Sequence, residues 1–243
     1  MMKFGLVGYP LTHSFSPDFF KTFFYQNNID ASYSLIELAT IEKIKIVLRA
    51  NYQGLNVTIP YKEEIIPYLD EIDAEARAIG AVNTIVFKDG KSTGFNTDAF
   101  GFQQSIKPFL TFEHERALIL GTGGSSKAVA HVLKNLGIQV NFLSRMEQGA
   151  NIYPYSQVNE AMLGACKLIV NCTPVGMFPH TDACPLPMID GIGPSHLVVD
   201  LIYNPAETLL LKESKLRGAA TLNGLPMLKA QALKSWELWN QFD

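Results

Sequence analysis

A glycine-rich turn between a predicted strand and a predicted helix carries the most specific chemistry in this sequence. The apolar run at residues 117–120 predicts a buried strand, and residues 125–136 have helical periodicity. Gly121 and Gly123 lie where a dinucleotide site needs a tight bend and a close backbone approach to the pyrophosphate. Ser126 stands where the common fingerprint has its third glycine, so an ordinary turn without a ligand remains an alternative.

The end of the next predicted strand distinguishes between the two nicotinamide cofactors. An NAD site usually has Asp or Glu there, about 20 residues after the glycines, to bind the ribose 2′-hydroxyl. Here the strand at residues 138–143 ends in Ser144 and Arg145, and Glu147 comes two residues later. A guanidinium can pair with a 2′-phosphate and stack on adenine. The segment therefore favours NADP, with an ordinary surface arginine as the alternative.

Four polar patches in the first part of the chain carry side chains suited to a small polar ligand. They are residues 8–17 with Ser14 and Ser16, residues 54–62 with Thr58 and Lys62, residues 80–84 with Asn83, and residues 94–98 with Asp98. The two serine hydroxyls at a helix start could hold a carboxylate. Thr58 and Lys62 follow a strand whose carboxyl end would face a ligand crevice. Simpler alternatives are helix capping for Ser16 and Asp98, and a solvated helix start for Lys62.

The elements that position these patches alternate between strands and helices, which indicates an α/β fold. Strands are predicted at residues 3–8, 31–38, 54–59, 82–87, 92–96, 117–120, 138–143, 167–171 and 197–201, and helices from residue 16 and at 41–50, 63–69, 73–79, 125–136 and 227–239. Ser16 is the predicted N-cap of the first helix. Asp89 and Gly90 predict a hairpin turn. A bridging helix near residues 101–115 marks a boundary between two α/β domains.

The composition excludes several classes of protein. The chain has 243 residues, 47% of them apolar, which is enough to bury a hydrophobic core. Its net charge of −3 argues against the basic surface that nucleic-acid binding needs. No apolar run approaches the ~18 residues of a membrane helix, and the first residues do not resemble a signal peptide. Three cysteines and five histidines without paired spacing predict a reducing, cytoplasmic location and no metal site.

Taken together, the motifs resemble the signature blocks of the shikimate dehydrogenase family. In order they are residues 8–17, 54–62, 80–84 and 94–98, the glycine turn at 121–124, residues 144–145, and residues 171–177, 200–205 and 223–231. The resemblance covers nearly the whole chain, so it is far more specific than any single motif. The sequence departs from the family pattern in two places. Phe20-Lys21 stands where the family often has His-Asn. Met146-Glu147-Gln148 follows Arg145 where the family usually has a second basic residue or Thr, so we expect weaker binding of the 2′-phosphate.

The resemblance implies reversible NADPH-dependent reduction of 3-dehydroshikimate to shikimate, on the route to chorismate and the aromatic amino acids. It implies that Lys62 transfers the proton and that Asp98 holds Lys62 and one substrate hydroxyl. Ser14 and Ser16 would bind the substrate carboxylate. The other implied substrate-binding residues are Thr58, Asn83, Gln231 and Tyr203, with Tyr203 near the nicotinamide. The implied NADP-binding residues are Gly121, Gly123, Gly124, Ser125, Ser126, Ser144, Arg145, Thr173, Leu201 and Gly224.

The resemblance also implies the architecture. Residues 1–101, with a C-terminal helix at 225–243 returning to them, would form a substrate-binding domain, and residues 102–224 a Rossmann-like NADP-binding domain, with the active site in the cleft between the two. A monomer or homodimer without nucleic-acid or membrane partners is expected. The alternatives are a quinate/shikimate dehydrogenase with relaxed cofactor choice, a non-catalytic NADP-binding regulator, and an unrelated Rossmann protein. Lys62 and Asp98 argue against the regulator, because a sensor need not keep both.

Overall fold

The computed structural model describes residues 1–11, 14–146 and 149–241, and it confirms the predicted α/β fold class. The chain divides into two compact units, Met1–Thr97 with Gln231–Asp243, and Asp98–Ala230. These bounds lie a few residues from the predicted division. The substrate-binding and cofactor-binding roles of the two units stay predictions.

The strands and helices follow one another in the alternating order that the sequence indicates. The strands are β1 (Met2–Gly8), β2 (Ala31–Glu37), β3 (Gly54–Val57), β4 (Glu71–Ile72), β5 (Thr84–Lys88), β6 (Lys91–Phe95), β7 (Arg116–Leu120), β8 (Gln139–Ser144), β9 (Ile152–Pro154), β10 (Leu168–Asn171), β11 (Leu197–Asp200) and β12 (Ala220–Leu222). The α-helices are α1 (Ser16–Gln26), α2 (Ile44–Leu48), α3 (Ala74–Ile79), α4 (Thr97–Ile106), α5 (Gly124–Asn135), α6 (Glu160–Ala165), α7 (Leu209–Leu216) and α8 (Leu225–Asn240).

The first unit contains a mixed sheet in the order β2-β1-β3-β5-β6-β4. β1 runs parallel to β2 and β3, whereas β5 runs antiparallel to β3 and β6. The β5–β6 hairpin turns at Asp89 and Gly90, both with positive φ, as the sequence predicts. Successive strand residues point to opposite faces, and accordingly Ile85 joins one apolar cluster with Leu55 while Val86 joins an aromatic cluster with Trp239.

The second unit contains a parallel sheet in the order β9-β8-β7-β10-β11-β12. Counted from β7, this is the strand order of a Rossmann fold, and the order reverses between β7 and β10. The inner strands are completely buried at positions such as Leu118, Ile169 and Val198. Their continuous apolar runs explain why the sequence predicts them well, because strands covered on both faces need no polar alternation.

Several local predictions are wrong in detail. Ser16 is the first residue of α1, while Phe15 occupies the cap position without a side-chain cap bond, so Ser16 is not the N-cap. Residues 63–69 form turns and a short 3-10 segment (Ile66–Tyr68) instead of an α-helix, because Pro67 lacks an N–H and restricts the residue before it. Five elements are not predicted by the sequence patterns. They are β4, β9, β12, α6 and α7.

Candidate active site

The predicted carboxylate-binding serines and Thr58 follow two neighbouring strands of the first unit. β1 and β3 pair in parallel, with Val7 opposite Val57, so their carboxyl ends lie side by side. A Cβ on Gly8 would lie 2.5 Å from the Thr58 methyl group, so this approach requires glycine. Ser14 donates its hydroxyl to the Leu11 carbonyl at 3.3 Å. Thr12 and His13 of this block lie outside the described residues.

Ser16 is buried where the chain enters α1. Its hydroxyl forms a hydrogen bond with Tyr33, whose pKa is raised by burial and partly lowered again by this bond. Tyr33 in turn donates to Asn56 Oδ1 at 2.8 Å. The structure therefore connects Ser16 to a buried side chain of β3 through a tyrosine that the sequence analysis did not identify.

The two predicted catalytic residues lie at the ends of different elements. Lys62 is half-buried in the turn after β3, and its carbonyl accepts the Val82 amide at 2.7 Å, which ties that turn to the segment before β5. Asp98 is buried as the second residue of α4, so the alternative in which it caps the helix from outside is wrong. The pairing of Lys62 with Asp98 stays a prediction.

Asn83 and Gln231 are brought together, although they are far apart in sequence. The Asn83 side-chain nitrogen lies 3.4 Å from Gln231 Oε1 and donates to Thr97 Oγ1 at 3.0 Å. The Thr97 amide donates to Asn83 Oδ1 at 2.7 Å. All three side chains are buried. Asn83 and Gln231 are separate predictions from the sequence, and this contact shows that they belong to one polar cluster of the first unit.

Gly121 and Thr173 meet where the strand order of the second unit reverses. They follow β7 and β10, whose neighbouring carboxyl ends form the crevice in which Rossmann folds bind ligands. Gly121 has φ +95°, a conformation that favours glycine, and a Cβ there would lie 3.0 Å from the Thr173 methyl group. The predicted cofactor residues on these two loops are therefore neighbours.

The predicted pyrophosphate site lies at the N-terminus of α5. Gly123 precedes the helix in an extended conformation that any residue could adopt, and no atom lies within 4 Å of a Cβ placed on it. The backbone therefore does not need glycine here, and the close approach of a pyrophosphate stays the predicted reason for it. Ser126 is buried and donates its hydroxyl to the Gly123 carbonyl at 2.5 Å, closing the turn in place of the usual third glycine. Gly124 and Ser125 form the first turn of the helix, where backbone N–H groups favour anions.

Ser144 and Arg145 stand at the end of β8, as predicted. Ser144 is buried and its hydroxyl accepts the Met146 amide at 3.3 Å, while Arg145 is exposed. Burial raises the pKa of Tyr155, and the positive charge of Arg145 acts in the opposite direction. Glu147 and Gln148 lie outside the described residues. β8 thus ends in Ser144 and is followed by the cation Arg145, and none of the described residues 144–146 is an acid.

Asn171 and Asp200 support the loops that carry Thr173 and Leu201. Asn171 Oδ1 accepts the Thr173 hydroxyl at 2.7 Å, and its amide donates to Asp200 at 3.0 Å. Asp200 also accepts the Thr208 hydroxyl at 2.7 Å. Burial raises the pKa of Asp200 to about 6, against the lowering effect of these hydrogen bonds. Both residues belong to the motifs that resemble the family, but the sequence alone does not indicate this supporting role.

Gly224 lies against the loop after β11. A Cβ on Gly224 would collide with the Leu201 carbonyl, and the Gly224 amide donates to the Ile202 carbonyl at 3.0 Å. Tyr203 is half-buried on the same loop. Gly224 and Tyr203, predicted to lie near the nicotinamide, and the predicted cofactor residue Leu201 are therefore in one neighbourhood, and packing alone requires glycine at position 224.

Comparisons with known proteins agree with this geometry. The model of the shikimate dehydrogenase substrate binding domain matches residues 6–85. A shikimate dehydrogenase (NADP(+)) of Methanosphaera stadtmanae is 38% identical, over 97% of this chain and 90% of its own length. The chain belongs to the shikimate dehydrogenase family. The resemblance drawn from the sequence is thereby confirmed.

Solved structures of shikimate dehydrogenase relatives share the whole fold. The shikimate 5-dehydrogenase of Thermus thermophilus, in complex with NADP(H) and shikimate, is 34% identical with a TM-score of 0.87, covering 99% of this chain and 92% of its own. The quinate dehydrogenase of Corynebacterium glutamicum, in complex with NAD, is 28% identical with a TM-score of 0.88, covering 99% of this chain and 94% of its own. Relatives with different substrates and cofactors therefore share this architecture.

The described part of the chain has neither a metal-binding cluster nor a membrane-spanning helix. Across residues 1–11, 14–146 and 149–241, no group of three or more His, Cys, Asp or Glu side chains could hold a metal ion. In the same part of the chain, no helix is both long and apolar enough to cross a membrane.

Proposed function

We propose that this protein catalyses the reversible, NADPH-dependent reduction of 3-dehydroshikimate to shikimate. The full-length match to shikimate dehydrogenases named for NADP carries this proposal and confirms the predicted class of enzyme, an NADP-dependent oxidoreductase. The positions of the predicted residues support it, because the polar side chains of the first unit and the glycine turn of the second each follow the carboxyl ends of parallel strands.

The second unit would hold the cofactor through its glycine turn and the ends of β8 and β10. Gly123 leaves open space before α5 for a pyrophosphate, and Arg145 offers a guanidinium for the 2′-phosphate. Leu201 and Gly224 would border the nicotinamide. NADPH, when bound, supplies the hydride for the ketone carbon of the substrate.

The first unit would bind and polarise the substrate. Ser14 and Ser16 would donate hydroxyl hydrogens to its carboxylate, while Thr58, Asn83 and Gln231 would bind its ring oxygens. As the ketone carbon gains the hydride, its oxygen gains negative charge, and the Lys62 ammonium would stabilise that charge and deliver a proton. In the reverse direction neutral Lys62 accepts the hydroxyl proton. Asp98 would orient Lys62 and one substrate hydroxyl, and Tyr203 would contact the substrate near the nicotinamide.

A quinate/shikimate dehydrogenase is the second candidate. The likeness to a quinate dehydrogenase in complex with NAD favours it, since that protein shares the fold at comparable TM-score. Arg145 and the absence of an acid at the end of β8 favour NADP over NAD.

We further propose a cytoplasmic enzyme that acts as a monomer or homodimer on small molecules, with no nucleic-acid or membrane partner.

Steady-state oxidation assays with shikimate and quinate, each with NADP⁺ and NAD⁺, test the proposal through nicotinamide absorbance. We expect the highest kcat/KM for shikimate with NADP⁺. Comparable values for quinate would establish the second candidate. NADP binding by calorimetry without turnover of either substrate would identify a non-catalytic regulator. Lys62→Met serves as the matched inactive control for contaminating host activity.

A further inference from the structure

Ser235 carries a buried hydroxyl that has no assigned role in substrate or cofactor binding. It lies on α8, one turn after Gln231, and is completely inaccessible to solvent. Its hydroxyl lies 3.0 Å from the Gln231 carbonyl, to which it can donate within the helix. A polar side chain on the packed face of a helix is costly unless other groups satisfy it.

Side chains from three other elements converge on the Ser235 oxygen. Asn56 of β3 donates its amide at 3.0 Å, Thr84 Oγ1 of β5 lies at 2.8 Å, and Thr97 Oγ1 of α4 lies at 3.1 Å. A hydroxyl has one hydrogen and two acceptor positions, so it cannot bond to all of these groups and the Gln231 carbonyl at once. The hydroxyl directions of Ser235, Thr84 and Thr97 are therefore coupled.

Thr97 transmits this coupling to the two amides assigned to the substrate. Its hydroxyl accepts from the Asn83 amide at 3.0 Å and lies 3.4 Å from Gln231 Oε1. Asn83 and Gln231 are themselves 3.4 Å apart, which is a weak contact compared with the bonds at Ser235. The Thr97 amide already holds Asn83 Oδ1 at 2.7 Å, so the direction of the Thr97 hydroxyl decides whether its hydrogen goes to Gln231 Oε1, to Asn83 Oδ1 at 3.2 Å or to Ser235.

We propose that Ser235 is a positioning residue that orients the Asn83 and Gln231 amides for substrate through Thr97. The inference rests on the proposed function, which assigns those amides to the ring oxygens. Ser235 touches neither substrate nor cofactor in this proposal. It selects one arrangement of a buried hydroxyl network, and the network presents the two amides in a fixed orientation.

The test is Ser235→Ala, measured by KM and kcat for shikimate, KM for NADP and Tm. We expect KM for shikimate to rise roughly 3- to 10-fold, the scale of one or two lost neutral hydrogen bonds, with KM for NADP unchanged. Ser235→Cys keeps a weak donor and acceptor at the same position and should give an intermediate KM. An unchanged KM for shikimate in Ser235→Ala overturns the proposal.

Two control variants separate positioning from simple anchoring of α8. Trp239→Phe removes a different side-chain bond from α8 to the sheet, in which the indole N–H donates to the Ile85 carbonyl at 3.0 Å. Ser214→Ala removes a buried hydroxyl that has no hydrogen-bond partner among the described residues. If Trp239→Phe lowers Tm as much as Ser235→Ala and raises KM for shikimate equally, Ser235 is only an anchor.

NMR spectra recorded without substrate test the role of Ser235 independently of the proposed function. The side-chain NH₂ signals of Asn83 and Gln231 in ¹H–¹⁵N spectra, assigned with Asn83→Asp and Gln231→Glu, report the orientation of the amides. We expect these signals to shift or broaden in Ser235→Ala and to remain unchanged in Ser214→Ala. Unchanged signals overturn the positioning role. A wild-type protein inactive on shikimate overturns the function alone, since the spectra still decide the role of Ser235.

Discussion

Asn171 donates its side-chain amide to Asp200 at 3.0 Å in the core of the second unit, where both side chains have no solvent exposure. The bond joins the carboxyl ends of β10 and β11, and through Asn171 it supports the predicted cofactor residue Thr173. A buried carboxylate at this point has a cost, because burial raises the pKa of Asp200 to about 6. The hydrogen bond that supports the candidate cofactor loops therefore involves a carboxyl group whose titration should make stability depend on pH.

We expect Asp200 to make the protein less stable as pH rises from about 4 to about 6. Its folded-state pKa of about 6 exceeds the ordinary value of 3.8, so the folded state binds the proton more tightly than the unfolded chain. This contribution is fully present below the unfolded pKa and is lost as pH rises through the folded pKa. It amounts to about 3 kcal/mol, since each pKa unit corresponds to about 1.4 kcal/mol.

Asp200→Asn should remove this pH dependence. Urea unfolding at several pH values between 4 and 7 measures it, with the free energy of unfolding of the variant compared with that of the wild type at each pH. As pH rises across this window, the free energy of unfolding of the wild type should fall relative to that of the variant. A gap that stays constant with pH would show that Asp200 does not titrate there.

Gly123→Ala should weaken NADP binding without lowering Tm. The added methyl group meets no atom within 4 Å and the backbone conformation suits alanine, so the fold should tolerate it. It would occupy the space that the pyrophosphate needs, with a cost of roughly 1–3 kcal/mol, as for other inserted methyl groups. Calorimetric titration with NADP measures the change. Gly164→Ala, another glycine with open space around it, should leave NADP affinity unchanged.

Arg145→Ala should reduce affinity for NADP far more than affinity for NAD. The loss should be roughly 1.5–3 kcal/mol, the range for a hydrogen bond to a charged group. Arg116→Ala is the matched control, because Arg116 is an exposed arginine at the start of β7 that donates to Gln139 at 3.1 Å. Equal losses of affinity for NADP and NAD would show that Arg145 does not bind the 2′-phosphate.

Ser14→Ala and Ser16→Ala should each raise KM for shikimate more than they lower kcat. A hydroxyl that holds a non-reacting carboxylate contributes binding shared by the ground state and the transition state. Steady-state kinetics measures the changes in KM and kcat. Ser32→Ala is the control, because the Ser32 hydroxyl donates to the Met2 carbonyl at the amino ends of β1 and β2, away from the predicted site. A loss confined to kcat would assign these serines a different role.

Lys62→Met should remove most of kcat while leaving the Kd for NADP nearly unchanged. The expected loss is roughly 10²–10⁴-fold, the scale of a positioned acid–base group. Asp98→Asn should cost less, and the double variant should be little worse than Lys62→Met, because residues that act as a unit are not additive. Single-turnover hydride transfer is the measurement, and Lys91→Met, which removes an exposed ion pair with Glu71, is the control. Losses that multiply independently would contradict the paired role.

The buried strands of the second unit and the hairpin at Asp89 and Gly90 could be predicted because their signals are local. A continuous apolar run and a turn residue with positive φ need no knowledge of distant partners. Pro67 shows the limit of the same reasoning. Its neighbours have helical periodicity, but the proline prevents an α-helix there, and the segment forms turns instead.

The sequence by itself determined the family, the glycine turn and the side chains available for the chemistry. Only the tertiary structure placed Asn83 beside Gln231 and gathered Asn56, Thr84 and Thr97 around Ser235, which lies 179 positions from Asn56. It likewise paired Asn171 with Asp200 and gave that carboxyl a raised pKa. Residue type and periodicity report only on neighbours along the chain, whereas burial and hydrogen bonding of a polar group depend on which distant segments pack around it.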